Sequence, residues 1–129
     1  MSGERILAVD DSATILEMIK AILVSGGYEV LTAVDGVEAL ETARSEMPDL
    51  ILLDVMLPKL DGYRVCRLLK FDQKYKSIPI IMLSAKTEEA AMATGIRTGA
   101  DQYLTKPIEP ERLLAAVAAE LQGTSDQRA

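Results

Sequence analysis

Three carboxylates, a hydroxyl and an ammonium stand directly after short apolar runs in this chain. Asp10 and Asp11 follow "RILAV" (5–9), Asp54 follows "LILL" (50–53), Ser84 follows "IPIIML" (78–83) and Lys106 follows "DQYLT" (101–105). An ionised carboxylate set against apolar surroundings costs several kcal/mol unless something offsets it, so Asp54 must be solvated or used. If the three acids are brought together they repel, and each disfavours ionisation of the others unless a cation joins them. Oxygen ligands without cysteine or histidine point to Mg²⁺, with Mn²⁺ the alternative. A lysine and a hydroxyl opposite such a metal site suit a phosphoryl group, whose transfer asks a protein mainly for positioning and charge neutralisation. One carboxylate can then serve as the nucleophile and form an acyl phosphate. Singly, each residue has a plainer role: Asp10, Asp11 or Ser12 could cap one helix, Ser84 and Thr87 another, and Lys106 could be a surface lysine. Capping needs neither a third carboxylate nor a lysine, so the set as a whole favours chemistry.

Composition removes the competing chemistries. The chain has no histidine, which excludes Ser-His-Asp and Cys-His catalysis, histidine metal sites and a phosphohistidine intermediate. Its formal charge of −6 disfavours sequence-independent attraction to nucleic acid or anionic lipid, so neither is an expected partner. No apolar run approaches the roughly 18 residues of a membrane span, and "MSGERILAVDD" lacks the apolar core of a signal peptide; a cytoplasmic setting is expected. The single cysteine, Cys66, lies in "GYRVCRLL" and reads as a buried structural thiol. At 129 residues and 49% hydrophobic content, the chain is long enough for one domain with a substantial core.

The elements that must position these groups alternate. Five apolar runs, the four above and "YEVLTA" (28–33), are separated by segments of helical spacing. The first helix is expected to face the core with Ile15, Met18, Ile19, Ile22 and Leu23 and to stop at Gly26-Gly27. The last opens with Pro110 and carries Leu113, Leu114, Val117 and Leu121. Residues 1–122 are expected to form the domain and "GTSDQRA" (123–129) a flexible tail or linker. Continuous apolarity in the first, third and fourth strands implies a parallel sheet covered on both faces, hence a doubly wound five-stranded α/β fold with five helices. Ligands in such folds bind beyond the carboxyl ends of the strands, which is where the acids, the serine and the lysine would meet.

"AVDDS", "LILLDVMLPKLDGYRVCRLLK", "IPIIMLSAK" and "GADQYLTKP" resemble, in order and spacing, the receiver domain of two-component response regulators over essentially residues 4–122. The resemblance implies a flavodoxin-like strand order 2-1-3-4-5. It implies that Asp54 accepts a phosphoryl group from the phosphohistidine of a sensor histidine kinase or histidine phosphotransfer protein and signals to a downstream effector. Asp11, Asp54 and the backbone carbonyl of Met56 would ligate Mg²⁺, with Asp10 acting through a water. Ser84 would bond one phosphoryl oxygen and Lys106 pair with another. Tyr103 would swing inward as Ser84 moves, repacking the face made by the fourth helix, fifth strand and fifth helix. Lys106-Pro107 would be a cis peptide.

The chain departs from the commonest family pattern at Lys59, where a small residue, often glycine, is frequent, at Gln102, where an acid is common, and at Ile108, where phenylalanine is usual. None touches the acid pocket. Leu16, read as off the core stripe and one turn from Asp11, is expected to contact the phosphodonor protein. Met56 and Lys86 are expected to flank the approach of water to the acyl phosphate and tune its lifetime. A flavodoxin would need a Ser/Thr/Gly-rich loop where "DDSAT" places two anions. A phosphatase of the haloacid dehalogenase kind would need a second aspartate two residues after Asp54, where Met56 stands. A degenerate receiver that only binds partners would not need the intact acid set.

Overall fold

The computed structural model of the chain describes residues 3–84 and 99–128. "RILAV" forms β1 (Arg5–Val9), followed by α1 (Ala13–Ser25), β2 (Glu29–Ala33), α2 (Gly36–Glu46), β3 (Leu50–Asp54) and α3 (Gly62–Lys70). Next come β4 (Ile80–Ser84), β5 (Gln102–Thr105) and the C-terminal helix α4 (Pro110–Arg128). The helix expected between β4 and β5 falls on residues outside those described. The strands form one sheet in the order β2-β1-β3-β4-β5 with every neighbouring pair parallel. This is the doubly wound, flavodoxin-like arrangement.

Apolar residues at 50–53 of β3 and 80–83 of β4, every position but the last of each, are required because both sheet faces are covered. Leu7, Val9, Ile51, Leu53, Ile80 and Met82 point to one layer, where they meet Ala39 and Ala43 of α2 and Val65, Cys66 and Leu69 of α3. Ile6, Ala8, Leu50, Leu52, Ile81 and Leu83 point to the other, against Leu16, Ile19 and Leu23 of α1 and Leu113 and Val117 of α4. Fully burying each Leu or Ile stabilises the fold by about 1.5–3 kcal/mol before chain entropy is counted. Cys66 is completely buried, as a structural thiol requires.

Local signals fix where the first three helices begin. Ser12 Oγ accepts from the Ile15 amide at 3.3 Å, Asp35 Oδ1 from the Glu38 amide at 2.8 Å, and Asp61 Oδ1 from the Arg64 amide at 3.0 Å. Two helix starts press directly on backbone. A β-carbon on Gly36 would stand 1.7 Å from the Leu60 carbonyl oxygen, and one on Gly62 would stand 2.2 Å from that of Asp54. Only glycine permits α3 to pack against the peptide that carries Asp54. At the other end of α3, Lys70 Nζ donates to the Ile78 carbonyl at 2.8 Å and pairs with Asp101 Oδ2 at 2.7 Å, tying the approaches to β4 and β5 together.

Two expectations need correction. The inward stripe of α1 is Leu16, Ile19, Ile22 and Leu23, whereas Ile15 is half-buried and Met18 is 42% exposed. Leu16 is buried, 7% exposed, so it is not a surface contact for a partner. Because α1 is apolar at 15, 16, 18 and 19, its composition tolerates either orientation; packing over Ile6, Ala8 and Leu83 selects the one that buries Leu16. The last helix also continues past residue 122 to Arg128. Beyond Gly123 the segment has no proline and no second glycine to stop it.

The reassignment of Leu16 is testable by urea unfolding. Leu16→Ala is expected to lower the unfolding free energy by about 2–5 kcal/mol, as buried leucine truncations do. Met18→Ala, on the exposed flank, is expected to change it by no more than about 0.5 kcal/mol. A larger loss at Met18 than at Leu16 would restore the original stripe.

Candidate functional site

Strand register brings the acids, the serine and the lysine to one rim. Val9 pairs with Leu53, so Asp10 comes level with Asp54 across the β1–β3 pair. Asp54 pairs with Leu83 and Ser84 with Thr105, which places Ser84 and Lys106 one step further along the same edge. Lys106 reaches back over the rim: its Nζ lies 3.1 Å from Asp10 Oδ2 and 3.3 Å from Asp54 Oδ1. The backbone there is anchored by the Lys106 amide, which donates to the Ser84 carbonyl at 2.8 Å; the Lys106-Pro107 bond is cis. Carboxylate oxygens of Asp10, Asp11 and Asp54 all lie within 4.8 Å of one another.

The three acids are not equivalent. Asp10 is 1% exposed and uses both oxygens within the chain, Oδ1 accepting from the Ser12 amide at 2.9 Å and Oδ2 from Lys106. Asp11 is exposed, and no hydrogen bond or ion pair engages its side chain among the described residues. Asp54 is 4% exposed, accepts from Lys106 and takes a further hydrogen bond from the Met56 amide. The side chain of Met56 projects outward, 66% exposed.

Burial, and after it the charge of Asp10, raise the Asp54 carboxyl above the usual carboxylate range, against the lowering effect of the Lys106 ammonium and the Met56 amide. The folded state therefore holds this proton more tightly than the unfolded chain does. Ionising Asp54 costs stability as pH rises from the ordinary carboxylate range through the raised value. For Lys106, burial alone would lower the ammonium's pKa; its hydrogen bond to Asp10 and the charges of Asp54 and Asp10 outweigh this and raise it. That contribution is present below the ordinary lysine value and is lost only as pH climbs through the raised one.

Ser84 is buried at the rim, 1% exposed. Tyr103 lies two residues before Thr105, pairs with Met82, and shares the sheet face of Met82 and Ser84 by alternation. Its hydroxyl shares a hydrogen bond with that of Tyr63 in the first turn of α3. The sequence reading missed Tyr63, because nothing in its pattern links residues so far apart. It also missed the Ser12 and Met56 amides, since backbone donors leave no mark in side-chain composition. Lys86 and Thr87 lie outside the described residues, and Leu16 is buried beneath α1.

The family departures have local explanations. Lys59 adopts a left-handed backbone, φ 69°, which is why glycine suits this position; its ammonium stands 3.4 Å from Asp35. Gln102 Nε2 donates to Glu120 Oε2 at 2.7 Å, where an acid would meet a like charge. Ile108 packs against the α1–α4 layer.

Comparison with known proteins agrees with this geometry. The family model described as the response regulator receiver domain matches residues 6–118. The alkaline phosphatase synthesis transcriptional regulatory protein PhoP of Bacillus subtilis is 49% identical over 117 residues, covering 91% of this chain and 48% of that regulator. The chain thus spans about half the length of that relative. Among solved structures, a putative response regulator from Chloroflexus aurantiacus superposes with a TM-score of 0.90 at 38% identity, covering 94% of this chain and 99% of that one. The receiver domain of a Pseudomonas aeruginosa sensor histidine kinase, with a magnesium ion coordinated in its active-site cleft, superposes with a TM-score of 0.87 at 31% identity, covering 94% and 99%. With its sheet order, its rim of acids, serine and lysine, and these relatives, the chain belongs to the response regulator receiver domain family.

Proposed function

We propose that Asp54 is the phosphoacceptor of this receiver and that its partners are a sensor histidine kinase or histidine phosphotransfer protein upstream and an effector downstream, in the cytoplasm. The observation that carries the reading is the Asp54 carboxylate, buried at a strand end and held by Lys106, with two further acids within reach of a shared cation. In the transfer, an Asp54 oxygen attacks the phosphorus, a P–O bond forms, and the P–N bond to the donor imidazole breaks with the electron pair leaving on nitrogen. Lys106 pairs with a phosphoryl oxygen as its contact with Asp54 is exchanged, and the Ser84 hydroxyl donates to another.

The donor set fits a hard divalent cation, because it offers clustered carboxylate oxygens and neither thiolate nor imidazole. Asp11, whose side chain is otherwise unengaged, Asp54 and the Met56 carbonyl would hold it directly. Asp10, already committed to Ser12 and Lys106, would act through a water. Bound there, Mg²⁺ would neutralise the crowded acids and the charge developing on the transferred group. The switch follows from the shared face of Ser84 and Tyr103: withdrawing Ser84 toward the phosphoryl group opens space that Tyr103 enters, breaking its bond to Tyr63. Every group named lies within residues 1–122, the limits proposed for the domain, although α4 runs on past them to Arg128.

Acetyl phosphate with Mg²⁺ is expected to add one phosphoryl group to the wild-type chain and none to Asp54→Asn, read by intact mass. The amide keeps the shape and loses the nucleophilic charge. Equal labelling of the two proteins would reject Asp54 as the acceptor.

The lifetime of the acyl phosphate depends on water reaching the phosphorus in line. Met56 extends outward beside Asp54 and offers that water only a weak thioether acceptor. Met56→Asn keeps the backbone carbonyl and adds groups that can orient water, so phosphate loss is expected to accelerate severalfold in the same buffer and Mg²⁺. An unchanged or slower decay would show that Met56 does not shield the site.

A further inference from the structure

Away from the acid rim, α2 and α3 enclose a groove of about 890 Å³ whose walls include Arg44, Leu60, Arg64, Arg67, Leu68 and Phe71. Three of these recur along α3 at 64, 67 and 68 and Phe71 caps its end, the spacing of one helical face, giving a stripe about two turns long. The chain contains a single phenylalanine, and it stands here, 70% exposed, more than any other large apolar side chain among the described residues. Leu68 beside it is 46% exposed. A lone surface leucine needs no explanation, but an exposed phenylalanine joined to a second apolar side chain in a concave site does.

The charge is equally out of place. Three arginines gather on this wall in a chain of net charge −6. Among the described residues no carboxylate pairs with Arg44 or Arg67, and Arg64 has only a long contact, 3.9 Å, with Asp61. Arg67 lies over the Phe71 ring at 5.7 Å, which holds its guanidinium above the apolar floor. Among the described residues the one acid lining the groove is Asp72, whose Oδ1 accepts from the Lys74 amide in the turn at 2.9 Å.

We propose that this groove docks an acidic amphipathic helix of a partner protein, its carboxylates paired with Arg44, Arg64 and Arg67 and an apolar side chain seated on Leu68 and Phe71. Charge complementarity selects this occupant. A polyphosphate backbone would leave the apolar floor uncovered, and a second copy meeting this groove with its own would set arginine against arginine. A short acidic helix carries few charges, all of which the arginines can meet, and the length of the stripe matches helix-in-groove recognition. The groove is built from α2 and α3 and needs neither Asp54 nor a bound metal, so it stands independently of the phosphoacceptor assignment.

The test is selection from a phage-displayed library of random peptides on the wild-type chain, with counter-selection on Arg67→Glu and Phe71→Ser. Enriched peptides are expected to be rich in Asp and Glu with Leu, Phe or Trp at helical spacing. A synthetic one is expected to bind wild type by fluorescence anisotropy, to weaken with added salt, to shift amide resonances of residues 60–73, and to lose about tenfold or more in affinity with either variant. Arg44→Glu, on the other helix, repeats the test should a variant on α3 be less stable, and all three are expected to label with acetyl phosphate as wild type does. Peptides without acidic bias, equal binding by the variants, or resonance shifts elsewhere would overturn the proposal. So would tighter binding of a single-stranded oligonucleotide at the same residues, or self-association in sedimentation equilibrium that these substitutions abolish.

Discussion

The structure turns on one electrostatic problem, the placing of ionised Asp54 at the mouth of a buried strand beside buried Asp10. Neither acid can be left alone there, since an uncompensated charge at such a site costs several kcal/mol. Lys106 bridges both, and its own burial is tolerable only because two carboxylates hold its proton. One cation among three clustered acids leaves an excess of negative charge. The rim is therefore poised for a second cation and, with it, for a dianionic phosphoryl group.

The fold serves that arrangement. Parallel pairing aligns every carboxyl end on one edge, so residues far apart in sequence meet without a long loop. Gly62 lets α3 sit on the Asp54 peptide, and the caps at Ser12, Asp35 and Asp61 fix the helices that follow β1, β2 and the β3 loop. The consequence for signalling is that small changes at the rim have firm elements to act on. Ser84 is backed by β4, while Tyr103 is linked through Tyr63 to α3, whose outer face carries the arginine and phenylalanine groove.

Much of this was legible in the chain. The apolar runs at 5–9 and 50–53 became β1 and β3 with boundaries within a residue, because in buried parallel strands polar residues are confined to the ends, here Arg5 and Asp54. The acids, Ser84 and Lys106 were legible because their residue types are unusual directly after such runs. Leu16 was not, because an α1 that is apolar at four nearly consecutive positions can face the sheet by more than one rotation, and only packing decides. Tyr63 escaped for a different reason, being defined by a contact across the fold. Phe71 could have been noticed as the only phenylalanine, yet it directly follows a helix whose Cys66 and Leu69 read as core, and the side it faces is settled only once that helix is docked.

The central claim is that crowding and burial of the Asp54 charge is a cost carried by the folded protein and relieved by a divalent cation. Urea unfolding of wild type and Asp54→Asn, each with EDTA and with Mg²⁺, tests it most directly. The account predicts that the metal-free variant unfolds at a higher urea concentration than metal-free wild type, because the amide removes an ionised group whose folded state is disfavoured. It also predicts that Mg²⁺ raises the midpoint of wild type well beyond that of the variant, since only native wild type keeps all three clustered carboxylates. A metal-free variant less stable than wild type, together with a wild-type midpoint indifferent to Mg²⁺, would contradict it.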